Sequence, residues 1–306
     1  YWFVASDHSL HLILEYDIKD NDIKTVFRDS GDANTSVFNW RKEFLINDID
    51  RVGDVLYWTS RQYGEPCSIN IRKSKNSIAV IDASGAYVLD EEGGDDNISL
   101  ENYYPYSLYD PLYPADPKRQ YVEVIKRPPK YAPYYTYNDD NGISKNNLFG
   151  NLFQFRYRYH FYDNEVSAWS PISDITTSSF DNDNVSQTNI TPGINNYLEI
   201  YVKNSSGIVK KIEIVGRKCK DLGQISRGNR GPYSTVAILD NNFGAWQIDN
   251  ESEQSVRFYN DQAYPIAVAG EGERLFDAVP RSAHTQTIIG NNRLSYGNYT
   301  ESFDVP

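Results

Sequence analysis

Short runs of β-forming residues, separated at regular intervals by clusters of Asn, Asp, Gly and Ser, constrain this chain more than any other feature. SLHLILEYDI (9–18), IKTVFRD (23–29), TSVFNW (35–40), DVLYWTS (54–60), SINIRKS (68–74) and SIAVIDA (77–83) follow one another in this way. Runs of this length with turn signals between them specify antiparallel meander sheets, as in propeller blades or a barrel. No amphipathic pattern at helical spacing extends beyond about ten residues. With Tyr, Phe and Trp at 14% of the residues, the expectation is a mainly β fold.

The same reading continues along the chain. From Gly93 to Pro117 the text is loop-like, and Pro105, Pro111, Pro114 and Pro117 exclude a central strand there. The tyrosines interleaved with them, Tyr103, Tyr104, Tyr106, Tyr109 and Tyr113, suit an extended segment lying across another surface, with subunit contact as their candidate role. YVEVIKRPPKYAPYYTYNDDNG (121–142) reads as a strand, a Pro-Pro stop and a Tyr-Pro-rich loop. YLEIYV (197–202), VKKIEIVGRK (209–218), STVAILD (234–240) and SVRFYN (255–260) read as strands. In the tail, 279–306, Gly290-Asn291-Asn292 marks a tight turn between two alternating runs.

FQFRYRYHFYDNEVSAWSPISD (153–174) is the stretch with the most chemistry. In a strand, Phe153, Phe155, Tyr157, Tyr159 and Phe161 share one face, and Gln154, Arg156, Arg158, His160 and Tyr162 share the other, so all but one of the aromatics are on one side. A platform for single-stranded nucleic acid needs exposed aromatics beside cations on one sheet face. Here the two kinds are segregated, so the five aromatics are expected in a core, and Arg156 and Arg158 on an outer face where they could meet a neighbouring subunit.

Other constellations are weak. The paired carboxylates Asp95/Asp96, Asp139/Asp140, Asp181/Asp183 and Glu271/Glu273 lie in turn-rich text, where such residues bond their own backbone. A calcium loop at 181–184 would lack the glycine and distal glutamate of an EF-hand. His8, His11, His160 and His284 form no HExxH, and there is no C-x-x-C, nucleophile elbow or phosphate loop. No catalytic, cofactor-binding or metal-ligating residue is expected, nor a small-molecule substrate. The Asn-x-Ser/Thr triplets at Asn34, Asn97, Asn184, Asn189, Asn204, Asn250 and Asn298 are what chance supplies in a chain this rich in Asn, Ser and Thr.

At 306 residues the chain suggests two or three domains. Its net charge of −12 disfavours nonspecific binding of phosphate backbones. Cys67 and Cys219 allow at most one disulfide, with two free buried thiols the expected state. No run reaches the ~18 apolar residues of a membrane span. The lack of methionine and the Tyr-Trp-Phe start suit an interior piece of a longer polypeptide.

Three segments carry a family resemblance. FNWRKEFLINDIDRVGDVLYWTSRQYGEPCSINI (38–71) is similar to a propeller-blade motif in which a Leu-Tyr-Trp-Thr-Asp strand precedes a Pro-containing turn and an Ile-Asn-Ile strand. Ser60 replaces the acidic residue. LFQFRYRYHFYDNEVSAWSPISDITT (152–177) resembles the late strands of a fibronectin type III domain, and LFDAVPRSAHTQTIIGNNRLSYGNYTE (275–301) matches a Val-Pro … Asn-Arg-Leu-x-Tyr-Gly-Asn pattern. In this order they resemble the muzzle proteins, also called tail hub or nozzle proteins, of crAss-like short-tailed phages. The resemblance implies propeller-like meander sheets in 1–120, ending in the Tyr/Pro-rich linker, a fibronectin III-like β-sandwich in 121–278, and a return to propeller-like strands in 279–306. It further implies a noncatalytic virion protein, a sixfold ring of copies beside other tail proteins that conducts DNA on ejection. Two other readings compete. An extracellular propeller plus fibronectin-like binding module would favour disulfides and an acidic residue after Thr59; a carbohydrate-active propeller enzyme would need carboxylates converging on its axis.

Overall fold

The computed structural model describes residues 1–4, 11–29, 45–60, 65–79, 122–124, 126–149, 151–161, 164–176, 195–204, 209–219, 231–241, 252–267, 280, 282–290 and 293–300. In chain order its elements are β1 (Trp2–Val4), β2 (His11–Asp17), β3 (Asp22–Asp29), β4 (Ile46–Val52), β5 (Val55–Ser60), β6 (Cys67–Asn70), α1 (Ile71–Ala79), β7 (Tyr134–Asn138) and β8 (Leu152–Phe161). They continue with β9 (Tyr197–Asn204), β10 (Val209–Cys219), β11 (Ser234–Asp240), β12 (Ser252–Phe258), β13 (Ser282–Ile289) and β14 (Arg293–Thr300). The protein is mainly β, built of small antiparallel sheets, and divides into two compact units. One comprises Tyr1–Lys126 and Ala278–Pro306; the other is Arg127–Asp277. Among the described residues no propeller closure is seen, and no helix is long and apolar enough to cross a membrane.

The first unit contains three sheets. β1-β2-β3 and β4-β5-β6 are meanders, and β13-β14 is a hairpin. Gly53 and Gly290 turn β4 into β5 and β13 toward β14 at φ of 58° and 62°, a region that costs a Cβ-bearing residue strain. One face of β4-β5-β6 meets the first sheet: Trp58 packs edge-on to Phe3, with ring centroids 5.5 Å apart, and Arg51 reaches the Tyr1 hydroxyl and Glu15. Ile13, Phe27, Leu56 and Ile69, registered beside these rings, are fully buried. The opposite face meets the hairpin. Asn47 Nδ2 and Thr59 Oγ1 donate to the His284 carbonyl, and Asp48 accepts from the Gln286 N–H.

The sequence reading misses three elements here and in the next unit. SINIRKS, expected as a strand, gives the end of β6 followed by α1, which also takes in 77–79 of SIAVIDA, expected as a strand; 80–83 lie outside the described residues. Asn70 is the reason: its Oδ1 accepts from Lys73 N–H at 3.0 Å, capping the first turn, and Ile71 and Ser74 then recur at helical spacing on the buried side. Val122 and Glu123, expected in a strand, form a turn and an isolated bridge to Cys67. Residues 134–138, expected in a loop, form β7, whose Tyr134 stacks on its cross-strand partner Tyr201 at 4.8 Å.

In the second unit two three-stranded antiparallel sheets, β12-β9-β7 and β11-β10-β8, pack face to face. Phe258 of β12 lies edge-on to Phe153 and Phe155 of β8, at 5.1 and 5.4 Å. Leu198, Ile200 and Val202 of β9 and Ile212 and Ile214 of β10 complete this core. The start of the outer edge of β11 is met by 265–267, where Thr235 N–H donates to the Pro265 carbonyl and Ala267 N–H to that of Tyr233.

Candidate functional site

Strand β8 and what surrounds it gather the chemistry of the second unit. Its five alternate aromatics are buried, 0–4% exposed, and run as a file of rings: Phe153 to Phe155 at 6.3 Å, Tyr157 to Tyr159 at 5.9 Å, Tyr159 to Phe161 at 6.1 Å. The Tyr159 hydroxyl donates to the Lys203 carbonyl at 2.6 Å, so its polar end is satisfied within the core.

The free edge of β8 is held by an unusual partner. Residues 167–176, read from sequence as a turn, run extended alongside it with a repeat of three: Ser167, Ser170, Ser173 and Thr176 are buried, while Pro171 and Asp174 are exposed. Three residues per repeat is the period of a polyproline-II helix, whose backbone makes no internal hydrogen bonds and leaves its polar groups available. Each rung contributes two bonds. The N–H groups of Ser167, Ser170, Ser173 and Thr176 donate to the carbonyls of Tyr159, Tyr157, Phe155 and Phe153 at 2.8–2.9 Å. In return, the N–H groups of those same β8 residues donate to the four hydroxyls at 2.8–3.1 Å. A strand advancing by two cannot meet a segment advancing by three with backbone groups alone, and the side-chain hydroxyl supplies the missing acceptor. Pro171 fits because its position is never asked for an N–H.

The other face of β8 is covered, which corrects the expectation that Arg156 and Arg158 point outward. Arg156 is 1% exposed and its Nε donates to the Ser170 carbonyl at 3.0 Å, leaving it no surface for a subunit contact. The Arg158 guanidinium lies 4.4 Å from the Trp169 ring, and that of Arg217 lies 4.7 Å from Tyr233. Trp169, Val215 and Tyr233 form a second small core with Ala267 against it. Gln154 Oε1 accepts from Nε and Nη2 of Arg217, at 3.2 and 2.9 Å.

Glu213 of β10 is the electrostatic centre of this face. Its register partner is Arg158, whose Nε donates at 2.7 Å. His160 Nε2 lies 2.9 Å from the same carboxylate oxygen, and because a carboxylate only accepts, that nitrogen carries the proton. Thr235 donates to the second oxygen at 3.2 Å. Burial alone would raise the Glu213 pKa, but hydrogen bonds from His160 and Arg158 and the guanidinium charge outweigh it and bring the carboxyl down to about 2. Cations, imidazole and carboxylate thus satisfy one another.

The remaining candidates divide plainly. Asp140 bonds locally, accepting from the Gly142 N–H, and also accepts from the Tyr259 hydroxyl, whereas Asp139 accepts from the N–H of Asn195, far along the chain. His11 is buried in β2, and His284 Nδ1 meets Asn298. Cys67 and Cys219 are free and buried. Asn204, in one of the glycan triplets, is 1% exposed, which leaves no room for a sugar. Among the described residues no group of three or more His, Cys, Asp or Glu side chains could hold a metal ion. Tyr103, Tyr104, Tyr106, Tyr109 and Tyr113 lie outside the described residues, as do His8, Asp95, Asp96, Asp181, Asp183, Glu271 and Glu273. The functional pattern missed in the sequence is S-x-x-S-x-x-S-x-x-T at 167–176, visible only to a search for period three. No protein-family model matches the chain, and no curated protein matches its sequence.

Proposed function

We propose that this chain is a structural component of a phage tail, resembling the muzzle proteins of crAss-like short-tailed phages: a ring of copies that closes the distal tail and conducts DNA on ejection. In this reading the meander sheets of the first unit are blade-like parts of a propeller, and the two-sheet second unit is a fibronectin III-like insertion. The observation that carries it is the closure of the β8 face upon itself. Arg156, Arg158, Arg217, His160 and Glu213, the groups best suited to catalysis or ligand binding, are engaged in holding sheet, edge segment and side chains together. Such spending of polar groups suits a module that bears load.

The charge supports the same role. A conduit lined with Lys and Arg would hold phosphates by counterion release and slow transit, whereas a chain of net charge −12 lets DNA pass without lasting contact. Copies of the chain and other tail proteins are its partners, and DNA only a transient one. The test is localisation: antibody raised against the second unit, applied to intact virions and viewed by electron microscopy, is expected to decorate the tail tip. Label on the capsid, or virions free of the protein, would overturn the reading.

A further inference from the structure

The outer face of β12-β9-β7 carries a tyrosine ring that is exposed and yet held in place. Inward, this sheet gives Leu198, Ile200 and Val202 to the core; outward, register sets Ser255, Tyr201 and Tyr134 side by side in one row. Tyr134 belongs to the edge strand β7, and its hydroxyl donates to Glu253 of β12, on the far side of β9. To reach that carboxylate the side chain lies over Tyr201, with the two rings 10° from parallel and their centroids 4.8 Å apart. Tyr201 thus covers one face of the Tyr134 ring. The opposite face is turned to solvent, and Tyr134 is 45% exposed. A ring fixed at its tip and along one face loses little further freedom when a ligand stacks on it.

Both kinds of hydrogen-bonding group stand around this ring. On one side the row is Glu253 and Lys203, with Lys203 Nζ 4.9 Å from the exposed Tyr131 ring and Lys130 Nζ on that same ring at 5.3 Å. On the other side the row is Arg257, Glu199 and Thr136, about 7 Å from the Tyr201 row by strand spacing. Glu199 accepts from the Ser255 hydroxyl at 2.9 Å and Glu253 from Tyr134. Each carboxylate has about four lone-pair sites, so both keep acceptor capacity. Tyr197, one row further, is 7% exposed beneath the Arg257 guanidinium at 5.2 Å and offers no second platform.

We infer that this face binds a neutral polysaccharide, one sugar ring stacking on Tyr134 while its hydroxyls pair with Glu253 and Glu199 as acceptors and with Lys203 and Arg257 as donors. The chemistry of the rim selects this occupant. A sugar presents C–H groups on a ring face and, around its edge, hydroxyls that both donate and accept; the site is an apolar face bordered by both complements. Single-stranded nucleic acid also stacks on tyrosine, but its phosphates would meet the two carboxylates, which match the two cations of the sheet one for one. The core of a protein–protein interface is depleted of charge, whereas charged residues flank the Tyr134 ring on both sides. The inference concerns the second unit alone and holds whether or not copies of the chain form a ring.

A printed array of neutral glucans, mannans, galactans, xylans and fructans, probed with the full-length protein, tests it. Retention by at least one class is expected. Tyr134→Ala should weaken that binding by ~10-fold or more, the scale of a central contact, while Tyr134→Phe, which keeps the ring, should lose less. Glu253→Gln and Arg257→Ala, at exposed positions, should each weaken it as well, with circular dichroism and thermal melts showing that every variant is folded. Should Tyr134→Ala not fold, the Glu253→Gln and Arg257→Ala variants decide: undiminished binding in both would overturn the assignment. Retention of no class would overturn it, as would full binding by a folded Tyr134→Ala. Tighter retention of a single-stranded oligothymidylate, lost in Lys203→Ala, would overturn it in favour of nucleic acid.

Discussion

Replacing Ser170 by Ala removes the hydroxyl half of one rung of the ladder that holds β8, leaves the backbone half from Ser170 N–H to the Tyr157 carbonyl, and touches nothing at the surface. The Ser170 hydroxyl accepts from the Tyr157 N–H at 3.1 Å and donates to the Pro171 carbonyl at 2.8 Å. Ser170 is fully buried and so is Tyr157, so no water replaces the lost acceptor. An orphaned buried amide costs ~1–3 kcal/mol, and Ser170→Ala should destabilise the second unit by that amount. Removing the hydroxyl half of the adjacent rung with Ser173→Ala should add a similar loss, with deviations from additivity because the two share β8. Asp174→Ala, at an exposed position between rungs, should stay within ~0.5 kcal/mol. Urea unfolding of the full chain gives the stability changes, and hydrogen exchange read by mass spectrometry over 153–161 gives the local effect. Faster exchange at Tyr157 is expected in Ser170→Ala. A stability loss below ~0.5 kcal/mol with unchanged protection of β8 would refute the claim that the hydroxyls hold this edge.

Three further outcomes follow from the same geometry. A Cβ at Gly216 would come within 2.9 Å of two Phe155 ring carbons, and that ring is fixed against Phe153 and Phe258, so Gly216→Ala should cost ~1–3 kcal/mol by overpacking in a thermal melt. The Glu213 carboxyl titrates lower when folded than in the unfolded chain, so its contribution is complete above the ordinary carboxylate range and is lost as pH falls from about 4.3 through about 2. Urea midpoints measured across that window should fall more steeply for the native chain than for Glu213→Gln. Asn70→Ala should remove the cap of α1 and cost ~1 kcal/mol, visible as accelerated exchange in 71–75.

Strands whose side chains alternate between core and exterior were legible from sequence, because burial of one face leaves a period of two. β9 and the start of β2 carry that signature, β3, β5, β10, β11 and the β13-β14 hairpin were legible from β-forming runs between turn signals, and the file from Phe153 to Phe161 stood out as a core strand. α1 was hidden because Ile69, Ile71 and the residues around them alternate as a strand would, and only the capping bond from Asn70 settles the matter. The outward reading of Arg156 failed for a different reason. Alternation says which side chains share a face, but not whether that face is wet, and here Trp169, Tyr233 and the three-residue ladder cover it. Glu213 gave no local signal, since its partners Arg158 and His160 stand more than fifty residues away and are brought to it by the β8-β10 register.

Mass photometry of the full-length protein at micromolar concentration bears most directly on the central claim. A single dominant species at an integer multiple of the protomer mass, six by the resemblance, with no further growth on concentration, is the closed ring that the proposed function requires. A monomer across that range, with no ring in the virion, would contradict it.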